Sequence, residues 1–145
     1  MKTQTVVLAI KSNDMSADLK RLGLGYLHQL SFENALFSNM DRLCADYNGG
    51  DWSLYLLPNS GLYFQLETSA DTLHLVSPGG RKYHLSPQAA SMVANLYAFS
   101  QLSFCSAEYA ELFGRFYHLL RNYIFGAGGE FPAHPESSLI YALID

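Results

Sequence analysis

Few residues in this 145-residue chain have the type and spacing to carry chemistry. His74 and His84 fall on neighbouring predicted strands and point to the wet side, where two imidazoles could begin a metal site. Spacing fixes no third ligand, and zinc takes three or four, so the pair reads as surface histidine. A Ser-His-Asp triad is not indicated, because no G-x-S-x-G occurs and His118 sits on a polar helix stripe with Glu111, Arg115 and Asn122. A phosphate loop needs glycines between a strand and a following helix. Gly49-Gly50 follows a predicted helix and Gly79-Gly80 joins two predicted strands, so both read as turns. The stretch 126–134, GAGGEFPAH, is long for a link between helices and carries Phe131, which makes it a candidate contact loop.

The elements that would position these residues follow from periodicity. A short strand at 6–10 and a short helix at 14–22 come first, then a glycine-bearing connection at 22–30. Residues 31–47 predict a helix capped by Ser31, with Phe32, Leu36, Met40, Leu43 and Tyr47 on one face and Asn48-Gly49-Gly50 as its stop. Residues 51–57 and 62–67 alternate about the turn 58–61, where proline sets φ and Gly61 is free for positive φ. Strands at 72–76 and 81–85 follow, joined through Pro78-Gly79-Gly80. Ser86-Pro87 opens a helix at 88–102 that is apolar nearly all round, with Gln88, Ser91 and Asn95 as a narrow polar stripe; it is expected to be the most buried. Ser106 caps a long amphipathic helix to about Phe125, and 135–144 closes the chain as a short helix. The fold class expected is α+β: a single domain over 1–145 with an antiparallel meander of three or four strands packed by helices.

Composition narrows function. The chain is 49% hydrophobic, enough to build one core at this length. Ten Tyr and nine Phe accompany one Trp, and the tyrosines suit a core edge or an interface. Net charge is −4 and nine basic residues form no stripe, which disfavours direct nucleic-acid binding. Thirteen acids without a run do not make an imitation of DNA. Cys44 and Cys105 each lie among apolar residues on predicted helices and are expected to be buried free thiols. The 6–10 apolar run is too short for a signal peptide and no span of membrane length occurs, so a cytoplasmic protein without membrane contact is expected.

The densest pattern lies at 39–64, NMDRLCADYNGGDWSLYLLPNSGLYF. Met40-Asp41-Arg42-Leu43, then Asp46-Tyr47-Asn48-Gly49-Gly50-Asp51-Trp52, Tyr55, Leu57 and Asn59-Ser60-Gly61-Leu62-Tyr63 resemble the ArdB/KlcA antirestriction family. A second match comprises 117–123, YHLLRNY, then His134-Pro135-Glu136 and the closing ALID at 142–145. The resemblance runs from about residue 31 to 145. It departs at 58–63, where the family reads Ser-Asn-Gly-Gly-Phe-Tyr, and at 126–133, which looks inserted.

The resemblance implies a protein of plasmids, prophages or genomic islands that protects incoming DNA against type I restriction-modification. Its partner would be the restriction enzyme or a host factor linked to it. It implies no cofactor and no catalytic residue to carry over. The alternatives from other classes are a small hydrolase or metal-dependent enzyme, and an inert relative kept on a mobile element. Within the matched motif, Met40, Leu43, Trp52 and Leu54 have core spacing and the glycines stop a helix. Asp41, Arg42, Asp46 and Asp51 have no such role, so this polar edge, with Tyr47 and the terminal Asp145, reads either as a solvated helix face or as a partner surface, the candidate carried forward.

Overall fold

A computed structural model describes residues 9–126 and 132–144. The expected strand at 6–10 lies mostly outside these residues; its end survives as β1, Ile10–Lys11. Helix α1, Met15–Arg21, starts where the Asp14 carboxylate accepts from Ala17 N–H. Helix α2, Tyr26–Leu43, begins five residues before the expected Ser31 cap. His28 Nδ1 accepts from Gly25 N–H at 3.0 Å and closes the first turn from inside the helix, while Ser31 Oγ is bonded to the Tyr109 hydroxyl. The helix also ends earlier than expected. Cys44 turns extended and forms an isolated antiparallel bridge with Leu75, so tertiary pairing ends α2 before the glycines are reached.

Strands β2, Trp52–Leu56, and β3, Leu62–Leu66, form a hairpin, and β1 pairs with the far side of β2. At the hairpin turn the positive φ belongs to Ser60, at 72°, not to Gly61. Gly61 is required for space: a Cβ there would lie 2.9 Å from Leu119 Cβ of the helix packed on the turn. Strands β4, Leu73–Val76, and β5, Lys82–Leu85, make a separate two-stranded sheet. The antiparallel α+β class is as expected, but the strands divide between two sheets instead of running on as one meander.

The division has a local cause. Helix α3, Pro87–Ser103, lies along the open edge of β3. Asn95 Oδ1 accepts from Phe64 N–H at 2.9 Å, and its Nδ2 donates to Phe64 C=O at 2.8 Å. Ser91 Oγ accepts from Leu66 N–H at 3.0 Å. Two side chains thus answer the groups that a fourth strand would pair, and both are wholly buried. As expected, α3 is buried nearly all round. Helix α4, Ala107–Phe125, is capped by Ser106 and stopped by Gly126 in the left-handed region; α5, Ser137–Ile144, packs on α3. Phe32, Phe64, Phe99, Phe113 and Phe116 join these elements in the core, with the Phe32 and Phe99 rings stacked at 4.8 Å. Tyr63 joins them, against the expectation that the tyrosines stay at the edge. Its hydroxyl donates to Gln65 Oε1 at 2.7 Å, and burial pushes its pKa up.

Candidate interaction surface

The residues singled out at 41–51 do not share one environment. Asp41 and Arg42 lie in the last turn of α2 and both are exposed. Arg42 Nη2 donates to Asn39 Oδ1 at 2.5 Å. Asn39 is buried and clasps α3, donating to Ala35 C=O and to Gln101 Oε1 and accepting from Gln101 Nε2. Arg42 also lies near the Tyr97 hydroxyl, whose pKa burial raises and the guanidinium partly restores. Arg42 therefore supports the α2–α3 joint, a role that its place on the polar side of the helix did not suggest.

Asp41 is turned elsewhere. It lies one turn after Phe37 on the same helix face. Phe37, 38% exposed, meets the Trp52 ring at 5.9 Å, and Trp52 meets Tyr47 edge-on at 6.0 Å. Trp52 Nε1 donates to the Tyr47 hydroxyl at 3.2 Å. Asp46, beyond the helix end, places Oδ2 3.4 Å from His74 Nδ1. Asp51 is exposed, and its backbone C=O accepts from Glu67 N–H. The surface is thus a partly exposed aromatic row, Phe37-Trp52-Tyr47, with Asp41, Asp46 and Asp51 around it. Sequence reasoning missed Phe37; its signal was an aromatic residue off the apolar face set by Phe32, Leu36 and Met40. Asp145 and Phe131 lie outside the described residues.

The second motif holds the chain's end in place. Glu136 accepts from Ser86 N–H at 2.8 Å and from Ser86 Oγ–H at 2.5 Å. A carboxylate thereby sits at the start of α3, where the helix dipole favours it. His134 Nδ1 accepts from Glu136 N–H, so Nε2 carries the proton and donates to Gln88 Oε1 at 2.8 Å. Burial lowers the His134 pKa, and the nearby Glu136 partly opposes it.

Chemistry of other kinds has few settings. A cleft of about 410 Å³ between the β4–β5 turn and α5 is lined by Arg81, Tyr83, Tyr97 and Tyr141, among others, with no His, Cys, Asp or Glu. Among the described residues, no group of three or more His, Cys, Asp and Glu could hold a metal ion. No described helix is long and apolar enough to cross a membrane. Cys44 and Cys105 are both free thiols; Cys44 is buried, but Cys105 lies exposed between α3 and α4, against expectation.

The fold is α+β with a partly exposed aromatic row bordered by carboxylates, and comparison with known proteins says to which family such a chain belongs. The sequence pattern of the family described as antirestriction protein matches residues 45–145. The chain is 36% identical over 126 residues to the antirestriction protein KlcA of Escherichia coli, covering 85% of this chain and 81% of that one. It is 32% identical to the uncharacterized protein YfjX of Escherichia coli K12, over 80% of this chain and 72% of that one. A solved structure of the KlcA and ArdB proteins, described as a novel fold with antirestriction activity against type I DNA restriction systems in vivo but not in vitro, superposes with a TM-score of 0.79. It is 30% identical and the match covers all of both chains. The chain belongs to the antirestriction protein family.

Proposed function

We propose that this protein relieves type I restriction in the cell, protecting incoming mobile DNA. The protein acts by contact, without catalysis, on the restriction enzyme or a host factor linked to it. The reading places it in the cytoplasm as one domain over 1–145. The observation that carries the proposal is the match over the whole chain to proteins with that activity in vivo. The net charge of −4 supports contact with protein over imitation of DNA. The contact surface proposed is Asp41, Asp46, Tyr47 and Asp51 with Phe37 and Trp52 between them, and Arg42 borders it. Tyrosine and tryptophan ringed by polar residues are favoured where partners meet.

The test is the plating efficiency of unmodified phage on hosts carrying type I systems, with and without the protein. Protection against at least one system is expected. Equal plating against every type I family would overturn the proposal and leave an inert relative.

A further inference from the structure

The wet face of the β4–β5 hairpin carries an arrangement that restriction does not call for. His74 and His84 are register partners on the two strands. Directly opposed residues bring their Cβ atoms within about 4.5–5.5 Å. Here the two imidazole centroids are 4.3 Å apart and the rings are tilted by 52°. A divalent ion sits about 2.0–2.1 Å from each imidazole nitrogen, so two rings bound at a right angle have centroids roughly 4.4 Å apart. The pair is therefore already at the ring spacing of cis coordination. Both residues are exposed, while Leu73, Leu75 and Leu85 hold the other face of the hairpin in the core.

The third participant is one that spacing in the sequence did not reveal. Asp46 Oδ2 lies 3.4 Å from His74 Nδ1. The Cys44–Leu75 bridge brings the chain just after α2 beside the strand that bears His74. The two groups are at ion-pair distance without a hydrogen bond, so the carboxylate adds negative charge beside the imidazole pair, which favours a cation there. Asp46 supplies charge in this scheme and is not itself a ligand.

We propose that His74 and His84 form a two-imidazole site for a late divalent transition ion, with the Asp46 carboxylate beside it. Water fills the remaining positions. Two nitrogen ligands fall short of the three or more that zinc sites supply. Copper(II) heads the affinity order for nitrogen donors and accepts tetragonal sites completed by water, so Cu2+ is the preferred ion and Ni2+ and Zn2+ bind more weakly. The proposal goes beyond the expectation of two surface histidines, and it stands whether or not the protein relieves restriction.

The test uses the untagged full chain. Titration with Cu2+, followed by calorimetry and electron paramagnetic resonance, is expected to show one ion per chain with two imidazole nitrogens in the equatorial plane. His74→Ala or His84→Ala should each weaken binding by roughly a hundredfold, because the second imidazole binds intramolecularly. Asp46→Asn should weaken it roughly threefold by removing an exposed charge, and His118→Ala, exposed on α4, should change nothing. Thermal melts confirm that the variants fold. Two results would overturn the site: wild-type spectra lacking two imidazole nitrogens, or Cu2+ affinity unchanged in both histidine variants.

Discussion

Two sets of polar residues, one on α3 and one from the end of α2 to the start of β2, look alike in the sequence and live differently in the fold. Ser91 and Asn95 form a polar stripe on α3, and each answers backbone groups of β3 in the core. Asp41 and Asp51 are equally polar, yet their carboxylates are exposed and make no hydrogen bond or ion pair with a described residue. A buried polar group must be satisfied and is therefore tied to stability. An exposed one is free to serve a partner. Substitutions should separate the two sets by where the damage appears.

Asn95→Leu should do the most harm. It strands the Phe64 N–H and C=O in the core at about 1–3 kcal/mol for each orphaned group, a large share of an ordinary domain's ~5–15 kcal/mol. Urea unfolding should show this loss, or no folded protein should be recovered. An Asn95→Leu protein of wild-type stability would remove the contrast.

Glu136→Ala comes next. It deprives Ser86 of two charge-assisted bonds, with an expected cost of about 1.5–3 kcal/mol in the same assay. Arg42→Ala should cost about 1 kcal/mol through the Asn39 clasp, whereas Asp41→Ala, Asp46→Ala and Asp51→Ala should each cost under about 0.5 kcal/mol. The triple acid variant is nevertheless expected to lose phage protection. Full protection by that variant would clear the acids of the contact, and a collapse of its stability would move them into the buried set.

A smaller effect should run the other way. Ser60→Gly relieves a left-handed serine and should raise the melting temperature by an amount worth up to about 1 kcal/mol. The smallest is a pH effect. The folded pKa of His134 is held below its ordinary 6.5, so the unfolded chain takes up the proton first. Stability from this group is complete above about pH 6.5 and lost as pH falls through the folded pKa. Melting curves between pH 7.5 and about 5 should slope accordingly, and less so in His134→Asn.

What the sequence disclosed was whatever neighbouring residues decide. The Ser86-Pro87 start of α3 and the Ser106 cap and Gly126 stop of α4 are local chemistry and were legible; the turn between β2 and β3 was legible in place, but its positive φ falls on Ser60 and not on Gly61. The end of α2 was not, because Cys44 is drawn off by Leu75, far along the chain. Nor was its start, where a histidine inside the helix closes the turn. Asn95 was visible as polar but not as the partner of a strand, since nothing near it names Phe64. The candidate surface was half legible: the acids stood out because no core or capping role claimed them. Phe37 and the structural task of Arg42 emerged only from contacts between elements.

The closure of β3 by a helix also sets an order of events during synthesis. Asn95 follows Phe64 by 31 residues, so a ribosome finishes the hairpin well before it delivers the side chain that seals it. Through that interval the nascent chain displays an open strand edge, the form most prone to pair with a neighbour. A chain cut short anywhere before residue 95 would keep that edge for good, and such fragments should aggregate where the whole protein stays dispersed.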